Sequence, residues 1–251
     1  MNPRFYCPPA DLPGQALVPD AYIELPEQVA HHACRVLRLG QGEEITLFDG
    51  HGLEYPAKLD LQGKKAYAKL GESLSGCPEN TTPLYLVQAL TSADKMDWII
   101  QKAVELGAAG IIPIQTTRTL IKLNAERALK RTTHWQDIAI SACEQSGRNH
   151  IPSVSSVISF AEYVQQSSLA QKLMLVPGAD QSLVSLNFKP LAPAYHLMIG
   201  PEGGWTPEEI HFAQQHKIVA INLGQRILRT ETAGLAALAI LNFKFEIAFH
   251  E

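Results

Sequence analysis

The chain has 251 residues, 46% of them hydrophobic, enough apolar material for one large domain or two smaller ones with cores of their own. A formal net charge of −4 argues against a uniformly basic nucleic-acid binder, although a whole-chain sum can hide a local basic face. Cys7, Cys34, Cys77 and Cys143 stand far apart, with no C-x-x-C pair and no Cys/His cluster at finger spacing, so structural zinc is not expected and no metal site is read.

The start, Met1-Asn2-Pro3-Arg4-Phe5, lacks the apolar core of a secretion signal, and no apolar run is long enough to span a bilayer. Cytoplasm is the expected compartment. From Arg4 to about Glu72 the pattern is short and strand-like: Ala16 to Val18, Ala21 to Leu25, Glu44 to Phe48, Glu54 to Leu61 and Lys65 to Leu70. One helix, Glu27 to Leu37, interrupts it, and the turns Asp49-Gly50 and Gln62-Gly63 have hairpin spacing. The reading is a small barrel with one helix over residues 1–72. Seven Lys and Arg against ten Asp and Glu give this stretch a net −3, so an RNA role needs its bases gathered on one face. Arg35 and Arg38 lie three apart near a helix end, with His31 one turn before Arg35, which suits either a phosphate-contacting edge or a solvated helix face.

Residues 73–83 hold Gly76, Pro78, Asn80 and Pro83 among polar neighbours and read as a linker. Beyond it strand and helix alternate, which argues a parallel α/β sheet over 84–251. Leu84 to Leu90 is a buried-type strand, Asp94 to Leu106 an amphipathic helix ended by Gly107, and Gly110 to Gln115 a second strand. Asn124 to Gln145 is a long helix, Phe160 to Gln166 a shorter one, and Lys172 to Val176 a strand running into Pro177-Gly178. Between Arg118 and His150, six cations face three carboxylates, a local +3 that would serve a few phosphate contacts.

Two glycine-bearing turns dominate the remainder. Ile199-Gly200-Pro201-Glu202-Gly203-Gly204 follows the apolar run Tyr195 to Ile199, and Leu223-Gly224-Gln225-Arg226-Ile227-Leu228-Arg229-Thr230-Glu231-Thr232 follows Val219 to Asn222. Ligands bind beyond the carboxyl ends of strands in open α/β sheets, and glycines there let the backbone approach them closely. Thr206 or Thr230 can cap the following helix, with a carboxylate at Glu208, Glu209 or Glu231 in its first turn. The last helix, Glu231 to about Phe245, is apolar nearly all round and needs cover on most sides, from the domain core or from a second subunit.

These turns closely resemble the signature of the bacterial small-subunit ribosomal RNA methyltransferases that modify N3 of a uridine, the RsmE family of the SPOUT class. The resemblance extends to Lys95-Met96-Asp97-Trp98-Ile99-Ile100-Gln101-Lys102-Ala103-Val104-Glu105-Leu106-Gly107, to Ala142-Cys143-Glu144-Gln145-Ser146-Gly147-Arg148, to His32 through Arg38 and to Phe48-Asp49-Gly50. It implies an amino-terminal PUA-like β-barrel that helps hold RNA and a SPOUT domain tied in a trefoil knot, which binds S-adenosylmethionine and forms a homodimer. It implies a cofactor bent against Leu175, Val176, Pro177 and Gly178, then Gly200, Pro201, Glu202, Gly203 and Gly204, then Leu223, Gly224, Ile227 and Leu228. Its expected partner is small-subunit (16S) ribosomal RNA, presented in the assembled 30S subunit, with no DNA and no membrane. Arg4, His31, Arg35, Arg38, Lys95, Arg118 and Arg148 are the expected RNA contacts. Ser92-Ala93 replaces the family's usual Lys-Gly or Arg-Gly pair, so one cation is missing there.

Uridine N3 is a poor nucleophile until its imide proton leaves, so the enzyme must stabilise the imidate and aim it at a methyl donor. Arg229 is the expected stabilising cation, and Glu202 orients groups or accepts the proton through water; Glu231 is the alternative carboxylate. The competing readings are a SPOUT enzyme acting on another nucleotide or on transfer RNA, and an RNA-binding assembly factor without turnover. A nicotinamide dehydrogenase fits poorly, because Gly200-x-x-Gly203-Gly204 lacks the G-x-G-x-x-G spacing and comes late in the chain.

Overall fold

The computed structural model describes residues 2–12, 14–188 and 192–250, and of 246–250 the backbone alone. Met1 and Glu251, the outer bounds of the two expected domains, lie outside the described residues. Contacts divide the chain into two units: Met1–Glu79 with Ile140–Ile151, and Asn80–Ala139 with Pro152–Glu251.

The first unit is a six-stranded sheet of β1 (Arg4–Tyr6), β2 (Tyr22–Glu24), β3 (Glu44–Phe48), β4 (Leu53–Gln62), β5 (Lys65–Leu70) and β6 (Leu74–Ser75). Strand order is β1-β3-β4-β5-β2, with β6 on β4; β1 lies parallel to β3 and every other pairing is antiparallel. Period-two alternation buries Tyr55, Ala57 and Leu59 of β4 and Ala66, Ala68 and Leu70 of β5 on one face, where Phe5, Ile23, Ile45 and Leu47 join them. Helix α1 (Glu27–His31) covers this core through Val29 and runs on without a break as a π turn, His32–Val36, over the stretch expected to be one helix.

One expected strand of this unit needs correction. Ala16 to Val18 is irregular chain, anchored by the buried Leu17 rather than by a strand partner. Strand β1 escapes the periodicity because a three-residue strand carries almost no pattern. The stretch read as a linker contains β6, and residues 140–151 join this unit because Asn149, fully buried, backs onto Gly76 and donates to Glu54 and the Gly52 carbonyl.

The second unit is a seven-stranded, all-parallel sheet: β7 (Leu84–Ala89), β8 (Gly110–Gln115), β9 (Ser153–Val154), β10 (Ile158–Ser159), β11 (Gln171–Leu175), β12 (Tyr195–Ile199) and β13 (Val219–Ile221). Its order is β10-β8-β7-β12-β11-β13, with β9 on β8. Both faces are covered, as parallel sheets require. Helices α2 (Ala93–Glu105) and α6 (Thr230–His250) take one face, closing over Leu84, Leu86, Leu197 and Ile199. Helices α4 (Phe160–Gln165) and α5 (Pro207–Gln215) take the other, over Val87, Ile114, Met174 and Met198. The remaining helix, α3 (Ala125–Ser146), contributes to the second unit as far as Ala139 and to the first beyond it.

Local sequence explains these elements. Met96, Ile99, Ile100, Ala103 and Val104 recur at helical spacing on α2, whose chain then leaves through Gly107 at φ 79°. Each fully buried Leu or Ile of this sheet contributes roughly 1.5–3 kcal/mol of hydrophobic stabilisation. Helix α6 starts after the edge strand β13 yet packs on β7 and β12 at the sheet centre. Ala233, Ala237, Leu238, Leu241 and Phe245 are buried there, whereas Ala239 and Phe243 on its other side are exposed. Burial pushes the thiols of Cys7 and Cys143 up to about 12, and all four cysteines are free.

Candidate cofactor and RNA site

The strands β12, β11 and β13 lie side by side, so the loops at their carboxyl ends meet above one edge of the second sheet. They enclose a cavity of about 350 Å³. Leu175 and Pro177 come from the first loop, Gly200, Pro201, Glu202, Gly204 and Trp205 from the second, and Asn222 through Gly224 and Arg226 through Glu231 from the third; Lys95, Ile199 and Ala233 complete the lining.

The loops are held by side chains. Asn222 donates to the Ala179 carbonyl at 2.6 Å and accepts from the Gly224 amide at 2.8 Å, joining the first loop to the third. Trp205 donates its indole N–H to the Leu175 carbonyl at 2.9 Å, joining the second to the first. A Cβ placed on Gly200 would stand 3.1 Å from the Trp205 ring, so this position is glycine because the indole packs against it. Gly204, at φ 67°, closes the turn by donating to the Pro201 carbonyl at 2.9 Å.

Helix α5 begins in a full capping box: the Thr206 hydroxyl accepts from the Glu209 amide, and the Glu209 carboxylate accepts from the Thr206 amide. The other Glu209 oxygen accepts from the Thr117 amide at 2.8 Å, which sets the chain carrying Arg118. Glu208, in the same first turn, has its carboxyl held below the usual range by its own backbone N–H and by Thr206. Thr230 is not the cap of α6. It is the first residue of that helix, buried, and its hydroxyl donates to the Gly200 carbonyl at 2.6 Å.

Charge gathers at the cavity mouth. Lys95 Nζ lies 3.1 Å from Glu202 Oε1 and 3.7 Å from Glu231 Oε2, and that Glu231 oxygen is buried without a hydrogen-bond partner among the described residues. Arg229 lines the same cavity, exposed, and its guanidinium makes no ion pair or hydrogen bond among the described residues. The site thus offers an available cation beside two carboxylates that share one lysine.

Of the residues expected to hold a cofactor, Leu175, Pro177, Gly200, Pro201, Glu202, Gly204, Leu223, Gly224, Ile227 and Leu228 line the cavity. Val176, Gly178 and Gly203 stand behind it: Val176 donates to the Ile221 carbonyl, Gly178 supplies a turn at φ 79°, and Gly203 accepts from Arg118. Trp205, Asn222, Arg226 and Thr230 line the same cavity and were not among the residues expected to hold the cofactor. Asn222 ends a strand and Trp205 follows a double glycine, positions that could have signalled them.

The expected RNA contacts scatter. Lys95 stands in the cavity. Arg118 is exposed and donates to the carbonyls of Gly203 and Trp205 at 2.9 and 3.2 Å, while His31, Arg35 and Arg38 are exposed in the first unit. Two of the expected contacts are engaged within the first unit. Arg148 is only 6% exposed and grips both carboxylate oxygens of Glu79, with Nε to Oε1 at 2.9 Å. Arg4 is half-buried, 2.6 Å from Glu54, bonded to Asn149 and lying over the Phe48 ring. The Arg148 guanidinium is engaged by Glu79, and that of Arg4 by Glu54 and Asn149. Among the described residues no cluster of His, Cys, Asp and Glu could hold a metal, and no helix is long and apolar enough to cross a membrane.

Known proteins resolve the class. An RNA methyltransferase domain model matches residues 78–242, and an RNA methyltransferase PUA domain model matches residues 25–71. Fold and site therefore define a SPOUT-class RNA methyltransferase: an α/β parallel-sheet domain preceded by a PUA-like domain. The chain is 33% identical over 225 residues to the ribosomal RNA small subunit methyltransferase E of Bacillus subtilis, covering 86% of this chain and 88% of the relative. The Neisseria gonorrhoeae ribosomal RNA small subunit methyltransferase E, solved with S-adenosylmethionine bound, superimposes with a TM-score of 0.86 at 38% identity, over 97% of this chain and 98% of that one. A Legionella pneumophila protein solved with the same cofactor gives 0.89 at 33% identity, over 97% and 98%. The chain belongs to the ribosomal RNA small subunit methyltransferase E family.

Proposed function

We propose that this protein transfers a methyl group from S-adenosylmethionine to N3 of one uridine in small-subunit ribosomal RNA, with the assembled subunit as substrate. The observation that carries the reading is the cavity at the carboxyl ends of β11, β12 and β13, with the Arg229 guanidinium available at its wall. The residues present fit the cofactor. Leu175, Pro177, Leu223 and Leu228 offer apolar surface to a purine, and the glycine turns offer backbone groups. Glu202 and Glu231, which share only Lys95 between them, complement the positive charges of an amino-acid sulfonium.

The cofactor supplies the methyl group; this chain must ready the uridine. Arg229 stabilises the imidate left when the N3 proton departs, lowering the acidity barrier of a group that is neutral at pH 7. Glu202, held 3.1 Å from Lys95, orients the base or takes the proton through water. His31, Arg35, Arg38 and Arg118 hold RNA phosphates, a role supported by their exposure. The PUA-like domain over 1–72 serves RNA binding, and the domain over 84–251 serves cofactor binding and dimerisation.

The trefoil knot belongs to the same reading, supported by the way the chain passes from the edge strand β13 back to β7 and β12. A homodimer is supported by the uncovered apolar side of α6, where Ala239 and Phe243 are exposed. The compartment of such an enzyme is the cytoplasm, and neither DNA nor a membrane is its partner.

The test is methyl transfer from labelled S-adenosylmethionine to small subunits from a strain lacking the modification, with free ribosomal RNA and transfer RNA in parallel. Label mapped to N3 of a single small-subunit uridine is the expected result. Label in transfer RNA alone would overturn the substrate, and normal turnover by an Arg229→Ala variant would overturn the role of that arginine.

A further inference from the structure

Strand β7 runs Leu84-Tyr85-Leu86-Val87-Gln88-Ala89 through the middle of the second sheet, and Gln88 is its one polar residue with no exposure to solvent at all. A buried primary amide costs several kcal/mol unless its groups find partners. Gln88 Nε2 donates to the Ala89 carbonyl at 3.0 Å and to the Thr230 hydroxyl at 3.0 Å, whereas Gln88 Oε1 has no partner among the described residues. The orientation of the amide follows from chemistry: the Ala89 carbonyl can only accept, so the atom facing it must be the nitrogen. A leucine here would remove an unpaired acceptor and pack with Leu86 and Ile199, so stability does not account for the glutamine.

Its effect lies at the other end of the chain of bonds. The Thr230 hydroxyl has a single hydrogen and gives it to the Gly200 carbonyl at 2.6 Å. It can do so while bonded to Gln88 only if Gln88 is the donor. We propose that Gln88 is a positioning residue for cofactor binding: it fixes the direction of the Thr230 hydroxyl, which ties the start of α6 to the turn at Gly200. Thr230 and Gly200 both line the cavity, and Gln88 reaches it only through them. The relay thus holds the second and third loops at one spacing from the central strand. This inference rests on the reading of the cavity as the S-adenosylmethionine site.

Titration of S-adenosylmethionine calorimetrically into wild type, Gln88→Leu, Gln88→Glu, Thr230→Val and Thr230→Ser, with the urea midpoint of each, tests it. Gln88→Leu should weaken cofactor binding about threefold to tenfold, the worth of one buried hydrogen bond, while its urea midpoint stays level or rises. Thr230→Val should weaken it similarly, and the Gln88→Leu/Thr230→Val double variant no further, because both act through one relay. Thr230→Ser, which keeps the hydroxyl, should recover most of the affinity that Thr230→Val loses. Gln88→Glu should be worse than Gln88→Leu, since a carboxylate would draw the Thr230 hydrogen away from Gly200 and face the Ala89 carbonyl. Wild-type affinity in Gln88→Leu, or a loss of affinity that only tracks a loss of stability, would overturn the relay alone. A wild type that fails to bind the cofactor would overturn the reading of the cavity, and the relay with it.

Discussion

Replacing Gly200 by alanine tests how tightly the cavity is built. The backbone there needs no glycine, because Gly200 is not among the residues with positive φ. The new methyl carbon would meet Trp205 Cε2 at 3.1 Å and Nε1 at 3.2 Å, closer than ordinary van der Waals contact. Trp205 is 7% exposed and packs on Phe160 with ring centroids 5.5 Å apart, so the indole cannot simply swing outward. Relief requires it to withdraw from the Leu175 carbonyl, 2.9 Å away, or the Gly200 turn to lift from Thr230. Overpacking and the loss of one buried hydrogen bond each cost on the order of 1–3 kcal/mol. Because the strain falls on two cavity loops, about 2 kcal/mol of it should reach binding, a roughly thirtyfold weakening for S-adenosylmethionine by calorimetry. A second replacement, Trp205→Phe, makes room for the methyl and should recover part of that loss. Wild-type affinity in Gly200→Ala would refute the packing argument, as would a double variant no better than the single one.

Three further outcomes follow from the same geometry. Arg148→Ala strips Glu79 of a bidentate partner in a largely buried site and should lower unfolding stability by about 2–4 kcal/mol in urea, with RNA affinity per folded molecule unchanged; unaltered stability with lost affinity would restore the phosphate-contact role. Phe243→Glu places a charge on the uncovered side of α6 and should halve the mass in sedimentation equilibrium with stability within about 0.5 kcal/mol; an unchanged mass would remove α6 from the interface. His196, bonded to the Tyr163 hydroxyl at 2.8 Å, has its ring held down to about 4 from 6.5 by burial and then by Lys172. A folded-state value below the unfolded one means that the unfolded chain takes the proton first, so this contribution is complete above about pH 6.5 and is lost as pH falls toward about 4. Partial exposure reduces the full interval to about 2 kcal/mol, and His196→Gln should flatten that part of the urea midpoint's pH dependence; identical slopes in both proteins would refute the assignment.

The sequence by itself determined the longer elements of the second unit and the type of its sheet. Alternating apolar runs and amphipathic stretches from Leu84 onward specify parallel strands with helices on both faces, since each segment's periodicity is set by its own residues and its geometry. The two glycine turns are likewise local statements, and ten of the thirteen residues expected to hold the cofactor do line one cavity. Tertiary structure alone decided which distant groups meet. Lys95, from the start of α2, becomes the shared partner of Glu202 and Glu231, and Gln88 in mid-strand reaches Thr230 at the start of the last helix, 142 positions on. Arg4 and Arg148 look like surface cations in sequence, but the fold surrounds them with Glu54, Asn149 and Glu79, and a charge so enclosed serves the protein's own ion pairs. Residues 140–151 join the first unit for the same reason: pairing across more than sixty positions leaves no periodicity in either segment, because each supplies only half of the contact.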